Sequence, residues 1–314
     1  MTAEGAAQRP TGKRGGPEGV VVVDKPSGWT SHDVVAKVRA VLGERRCGHA
    51  GTLDPDATGV LVLGLGRATR LLRFASSLPK SYAGEVVLGT STSTLDASGT
   101  VTGTFDMAAV TLDDVRATAA KLTGRILQIP PMFSAVKVAG RRLHELARAG
   151  VEVEREPRPV EVFRFDVEAT DEQAVYSIAV DCSSGTYVRV LAADLGTALG
   201  GGAHLRSLRR TAVGTFLAAE AVALGALGAG DVRPMGELVA HLPSVVAVAT
   251  VAETVAHGRV LPRQLLGAMG EGPWAVFDEN GELLAVYEAF PTERMKPVVV
   301  VSPGGPGGSA RPSE

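Results

Sequence analysis

Asp54 has the setting that most invites chemistry. It lies in Arg46-Cys47-Gly48-His49-Ala50-Gly51-Thr52-Leu53-Asp54-Pro55-Asp56-Ala57-Thr58-Gly59, a run rich in Gly, Pro and Thr that no hydrophobic period claims. A carboxylate in such a loop can be aimed at a ligand instead of packed. The plain reading of Asp54-Pro55 is turn chemistry, since Asp before Pro starts turns and caps nearby backbone donors. Two features favour more than a turn: His49 upstream of the Asp, and the flanking cations Arg45, Arg46, Arg67, Arg70 and Arg73. A carboxylate among cations is expected to stay ionised, and an ionised carboxylate can act as nucleophile or base. Cys47-x-His49 has metal-ligand spacing, but without further ligands at such spacing it predicts no metal site.

The flanking segments read as elements able to hold this loop. Gly19 to Val23 is a β-branched run expected as a buried strand, ending in the turn Asp24-Lys25-Pro26-Ser27-Gly28. Lys25 at its mouth could touch phosphate or be solvated. Ser31 reads as an N-cap for a helix with Val34, Val35, Val38, Val41 and Leu42 on one face and Gly43 at its stop. Val60 to Leu63 predicts a second buried strand, followed by Gly64-Leu65-Gly66 and a helix from Arg67 to Ser76. A dinucleotide fingerprint fails there because its sixth position is Thr69. Tyr82 to Gly89 alternates as a strand, with Tyr82 either half-buried packing or a ring offered to a ligand. Thr111 should cap a helix to Leu122. Pro130-Pro131 gives a rigid extended segment before Phe133, and Arg141, Arg142 and Arg148 with Leu143, Leu146 and Ala147 predict a basic amphipathic helix. Val160 to Glu168 and Val175 to Val180 should pair as a hairpin across Asp171-Glu172-Gln173, leading to Tyr187, Arg189 and a helix through Leu191, Leu195 and Leu199.

Pattern softens from Gly225 to Gly230, and Pro234 and Pro243 mark linking segments. Beyond Val245 a small β-rich unit is expected, with Asn280-Gly281 as its hairpin turn. The sequence therefore divides into a disordered tail over 1–18, a large domain over 19–243, a small one over 244–302 and a second tail over 303–314.

The chain of 314 residues is 45% hydrophobic and 21% charged, enough for a large core. Its net charge of -2 hides a basic stretch, in which Lys37, Arg39, Arg45, Arg46, Arg67, Arg70, Arg73 and Lys80 face Glu44, Asp54 and Asp56. A near-neutral chain can still present a basic face to nucleic acid. Cys47 and Cys182 are too far apart for a zinc ribbon or disulfide framework, which points to a reducing cytoplasm. No apolar run approaches the ~20 residues of a membrane span.

Residues 48–59 match every fixed position of Gly-His-x-Gly-x-Leu-Asp-Pro-x-Ala-Thr-Gly, and so the segment resembles the loop of the TruB family, the bacterial tRNA pseudouridine-55 synthases. Four later segments resemble further motifs of that family. Thr92 to Gly99 matches Thr-Asp-Thr-x-Asp-x-x-Gly with Ser93 for the first acidic residue; Pro130 to Lys137 matches Pro-Pro-x-Tyr-Ser-Ala-x-Lys with Phe133 for Tyr; Gly185 to Arg189 matches Gly-Thr-Tyr-x-Arg; and His204 to Arg210 follows in the family's order. The resemblance implies that Asp54, rather than Asp56, is catalytic, that Tyr82 stacks on the target base and assists, and that Arg189 pairs with Asp54. It also implies that Leu208 lines the uridine pocket with Tyr187 and that His49 fills the space left by a flipped base; Arg209 and Arg210 suit phosphates, and Lys25 is a candidate for the same contact. The implied fold is α+β, a mixed, largely antiparallel sheet flanked by helices, with a small β-rich C-terminal PUA-like domain. The implied reaction is isomerisation of the T-loop uridine of tRNA to pseudouridine, with no cofactor, tRNA as partner through its T-arm and acceptor end, and no obligate protein partner. Asp54 could add at C1′ or C6, or assist elimination toward a glycal. The rival readings are a non-catalytic tRNA-binding or tRNA-folding protein and an enzyme directed to another RNA site by a guide RNA.

Overall fold

The computed structural model describes residues 16–132, 137–138, 141–142 and 153–302, the two short pairs by backbone alone. Phe133 and most of the expected basic helix, including Arg148, lie outside the described residues, as do the two tails apart from residues 16–18. Arg141 and Arg142, expected in that helix, instead form a two-residue strand paired with Lys137–Val138.

Strands in chain order are β1 (Gly19–Lys25), β2 (Cys47–His49), β3 (Thr58–Leu65), β4 (Lys80–Leu88), β5 (Thr90–Thr92), β6 (Val101–Thr104), β7 (Gly124–Gln128), β8 (Lys137–Val138), β9 (Arg141–Arg142), β10 (Arg158–Ala169), β11 (Val175–Cys182), β12 (Ala203–Val213), β13 (Phe216–Leu217) and β14 (Val222–Ala223). Helices α1 (Ser31–Leu42), α2 (Leu72–Ser77), α3 (Leu112–Lys121) and α4 (Val188–Ala198) cover them. Among the described residues a ten-stranded sheet runs β14-β1-β3-β12-β4-β11-β10-β7, with β2 on β3 and β13 on β12. Its pairings are antiparallel except β1 with β14 and β3 with β12. The expected hairpin forms as β10 and β11.

β1 reads as four consecutive valines because both its faces are covered, so it shows no alternation. On one side Val21, Val23, Leu61, Leu63 and Leu65 pack against Val34, Val35 and Val38 of α1. The cap of that helix is Thr30, not Ser31: the Thr30 hydroxyl accepts from Asp33 N and the Asp33 carboxylate accepts from Thr30 N. Ser31 is the first helical residue, and its hydroxyl is engaged elsewhere. The helix expected over Arg67 to Ser76 is a 3-10 turn over Gly66–Leu71 followed by the six-residue α2. The Thr69 hydroxyl, bonded at 2.8 Å to the Gly66 carbonyl, competes there with the backbone donor of a regular helix.

β3 and β12 touch through two residue pairs, Thr58 with Arg209 and Gly59 with Arg210. A Cβ on Gly59 would stand 2.1 Å from the Arg210 carbonyl oxygen, at φ +100°, so glycine is what lets the two backbones meet. β4 lies on the other side of β12, with Tyr82 opposite Arg210 and Gly84 opposite Leu208. α3 and α4 close a second core over β4, β10, β11 and β12.

Downstream, β15 (Ser244–Ala247), β16 (Leu261–Pro262), β17 (Trp274–Asp278), β18 (Leu283–Phe290) and β19 (Arg294–Val300) form a sheet in the order β15-β17-β18-β19-β16, accompanied by α5 (Ala249–Ala256). Asn280 and Gly281 sit in the β17–β18 turn as expected. Trp274, Val276, Tyr287 and Met295 face the unit's own core, whereas Ala275, Leu283, Val286, Val299 and Val301 pack with Val20 and Val62 of the large sheet and with Leu71 and Leu72 of the helical segment after β3. Among the described residues no helix is long and apolar enough to cross a membrane.

Candidate active site

The loop from Ala50 to Ala57 joins β2 to β3, and its backbone carbonyls are taken one after another. Arg210 is 1% exposed, and its guanidinium donates to Gly51 O at 3.1 Å, Thr52 O at 3.3 Å and Val60 O at 2.7 Å. The Ser31 hydroxyl donates to Leu53 O at 3.2 Å and accepts from Leu53 N at 2.9 Å. Asp54 O accepts from Ala57 N, and Pro55 O from Lys25 Nζ at 2.8 Å and from Gly28 N. Buried polar side chains thus hold a segment whose Gly-rich composition would otherwise let it wander.

From this frame the Asp54 carboxylate points at Arg189, with Oδ2 3.4 Å from Nε. The Asp54 side chain keeps 46% of its surface open while Arg189 keeps 5%, so the acid is reachable and its partner is not. Arg189 stands at the start of α4, where Nη1 also donates to Thr94 O and lies 4.0 Å from Asp96 Oδ2. Asp96 is itself fixed, accepting on Oδ1 from Thr94 Oγ1 and Ser98 Oγ at 2.6 Å each. Its loop docks on β12 through Ala97 N to Leu205 O and Leu205 N to Leu95 O. The flanking cations in the sequence suggested that Asp54 stays ionised. In the structure burial pushes its carboxyl up, with Asp96 and Asp56 adding to the rise while Arg189 and Lys25 oppose it.

A cavity of about 300 Å³ opens over Asp54, lined also by Tyr82, Tyr187, Arg189, Leu208 and Arg210. Six residues singled out in the sequence therefore meet in one place. Tyr82 comes from β4 and Leu208 from β12, one strand away. Burial pushes the Tyr82 phenol up, with Arg210 opposing, so this ring is a neutral phenol and a poor general base. Tyr187 precedes α4; Gln128 of β7, 2% exposed, accepts from its N–H at 3.0 Å and donates to its carbonyl at 3.3 Å. A second hollow of about 890 Å³ lies against the same Asp54, Arg189 and Leu208, with Asp56, Asp96 and Arg206 on its walls.

Three of the expected residues do not line this cavity. Lys25 is fully buried and neither solvated nor turned to phosphate: it donates to Pro26 O, Trp29 O and Pro55 O within 2.9 Å. Its desolvation pulls the ammonium down to about 8. Arg209 is chelated by Asp24 at 2.9 and 2.8 Å. His49 lies on β2 with its ring edge-on to His32, centroids 5.6 Å apart. Arg210 does line the cavity, where its guanidinium braces the loop.

Sequence reasoning passed over four residues. Asp96, Gln128 and Ser31 act on Arg189, Tyr187 and Leu53, contacts that no local period encodes. Lys80 lines the cavity two residues before Tyr82 on the same strand face, bonded to Ser76 O and Leu78 O, its ammonium pulled down to about 8 by burial. The alternation of β4 was the available signal for Lys80, and Asp96 had its Thr-x-Asp-x-x-Gly setting.

Comparison with known proteins identifies the family. Residues 39–188 match the N-terminal domain of TruB family pseudouridylate synthases, and residues 189–232 match the tRNA pseudouridylate synthase B C-terminal domain. The chain is 43% identical over 297 residues to tRNA pseudouridine synthase B of Arthrobacter sp. (strain FB24), covering 91% of this chain and 97% of that one. It is 44% identical over 278 residues to tRNA pseudouridine synthase B of Mycobacterium bovis, covering 85% and 91%. Among solved structures, a chain of a Cbf5-Nop10-Gar1 complex superposes with a TM-score of 0.69 at 29% identity, over 90% of this chain and 83% of that one. A chain of an H/ACA RNP bound to a substrate RNA containing 2′-deoxyuridine gives 0.70 at 25% identity, over 91% and 86%. With both family domains matched, relatives above 40% identical over most of its length and the pseudouridine synthase fold around Asp54, the chain belongs to the TruB family of pseudouridylate synthases.

Proposed function

We propose that this tRNA pseudouridine synthase isomerises the uridine at position 55 of the T-loop, with Asp54 as the acting carboxylate. The observation that carries the reading is the Asp54–Arg189 pair at 3.4 Å beneath a cavity walled by Tyr82, Tyr187 and Leu208. A flat, uncharged base suits two rings and a leucine, and a ribose beside it would meet the carboxylate. The N1–C1′ bond breaks with its electron pair passing to the base, the base turns, and a C5–C1′ bond forms. The C5 proton then leaves and N1 gains one, so atoms and charge balance. Asp54 can add at C1′, add at C6, or assist elimination toward a glycal; each of these uses the ionised carboxylate. Tyr82, held neutral, stacks on the base and can donate rather than accept a proton.

A stacked T-loop base reaches this cavity only after flipping, at a cost of roughly a few kcal/mol that contacts to the rest of the tRNA must offset. The unit over 244–302 is assigned that grip, through the exposed Arg259 and Arg294. The test is pseudouridine mapping in tRNA exposed to the purified protein. Conversion at uridine 55 by the wild type, and none by an Asp54→Asn protein that still binds tRNA, is the expected result. An Asp54→Asn protein that turns over normally removes Asp54 from the chemistry.

A further inference from the structure

We infer that Ser31 is a positioning residue for Asp54, its buried hydroxyl fixing the Leu53 peptide from which the Asp54 carboxylate reaches Arg189. This rests on the reading of Asp54 as the acting group. Ser31 is 1% exposed, and its Oγ makes two hydrogen bonds to Leu53, accepting from its N–H at 2.9 Å and donating to its carbonyl at 3.2 Å. One hydroxyl so placed prevents the Leu53 backbone from rotating about either flanking bond without breaking a buried hydrogen bond.

The remaining anchors bracket this position without replacing it. Arg210 holds the carbonyls of Gly51 and Thr52, and Lys25 holds that of Pro55. Among the described residues the Asp54 carbonyl has the loop's own Ala57 N–H as its backbone donor. Between Thr52 and Pro55, Ser31 is thus the side-chain anchor among the described residues. The anchor is itself rigid, because Ser31 opens α1 and Thr30 with Asp33 caps that helix. Two adjacent hydroxyls have divided the work, Thr30 serving the helix and Ser31 the loop. That division also accounts for a cap one residue earlier than the helical pattern suggested.

A backbone shift of about 1 Å at a reacting group can lower a rate by about 100-fold without touching substrate affinity. The test uses the full chain as wild type, Ser31→Ala and Ser31→Thr. It reads thermal unfolding, tRNA affinity, single-turnover pseudouridine formation with enzyme in excess, and amide hydrogen exchange over residues 50–65. In Ser31→Ala we expect a rate lower by about 10- to 100-fold with tRNA affinity changed less than about twofold. Exchange should quicken over the loop and stay unchanged in β3, and Ser31→Thr should return the rate to within about threefold of wild type. Ser31→Cys, with similar volume and a weaker donor, replaces the threonine variant if that one does not fold.

Unchanged loop exchange in Ser31→Ala overturns the inference whatever the activity. So does an unchanged single-turnover rate, or faster exchange spread equally through α1 and β3, which would make Ser31 a general fold contact. A threonine variant with wild-type exchange but the alanine variant's rate also overturns it. A wild type that forms no pseudouridine instead overturns the functional reading, while the exchange measurement still decides whether Ser31 holds the loop.

Discussion

At the scale of single residues, the balance at Asp54 has consequences for pH. Burial and two neighbouring carboxylates raise its pKa, and Arg189 is the largest opposing influence. The acid limb of single-turnover pseudouridine formation should therefore lie above the ~4 of an ordinary aspartate. Replacing Arg189 by Met should move that limb further up, measured on protein that still binds tRNA; a limb that stays in place would dissociate Arg189 from the ionisation of Asp54. The same shift bears on stability. Because the folded pKa exceeds the unfolded one, the native state holds this proton more tightly, and stability falls as pH rises through the window between the two values. Asp54→Asn is accordingly expected to melt no lower than wild type near about pH 7, with the difference closing below about pH 4. A lower melting temperature at neutral pH would mean that the ion pair with Arg189 outweighs desolvation. Tyr82 follows the same logic: burial raises its phenol as well, which keeps the ring neutral.

At the scale of elements, the strands and the hairpin were legible because period two and turn residues are local signals. The run Val20 to Val23, the β10–β11 pair and the Asn280-Gly281 turn all appear where the pattern put them. What failed was local competition. Thr30 and Ser31 are both good caps, and the choice between them follows from a loop over 20 residues downstream that takes the serine. Gly59 shows the same dependence on a distant partner. Gly59→Ala forces a Cβ to 2.1 Å from Arg210 O at a positive φ, and is expected to cost more than about 1 kcal/mol and to lower tRNA turnover with it. Gly28→Ala, also at positive φ but with nothing within 4 Å, should carry only the conformational cost. Chemical denaturation of the two variants checks this; equal losses would mean that β3 and β12 can part without penalty.

At the scale of the whole molecule, the C-terminal unit is not a detachable appendage. Its β17–β19 face completes the core over β1 and β3, Arg67 bonds to both Glu18 and the Val301 carbonyl, and Arg70 donates to Val300 O at 2.5 Å. Removing residues after Pro243 is thus expected to expose that core and yield an aggregating or unfolded protein, read by circular dichroism and size-exclusion. A cooperative, monomeric truncated chain would contradict the shared core. Its RNA-binding role is better tested with the fold intact. Arg259→Ala and Arg294→Ala should weaken binding of full-length tRNA and reduce the salt dependence by about one unit of slope for each lost phosphate contact, with the single-turnover rate at saturation unchanged.

The sequence alone determined the loop around Asp54, the alternating strands, the order of the motifs and the small β-rich end, because each is written in neighbouring residues or in period. It also named Tyr82, Tyr187, Arg189 and Leu208. Only the tertiary structure decided which cations face the site. Arg189, Arg209 and Arg210 are equal in sequence, yet one pairs with Asp54, one with Asp24, and one braces the loop from beneath. Lys25 and Lys80 became buried struts by the same means. A side chain's charge belongs to its type, but its exposure, its partners and the shift of its pKa belong to the order β3-β12-β4, which gathers residues from far along the chain around one carboxylate.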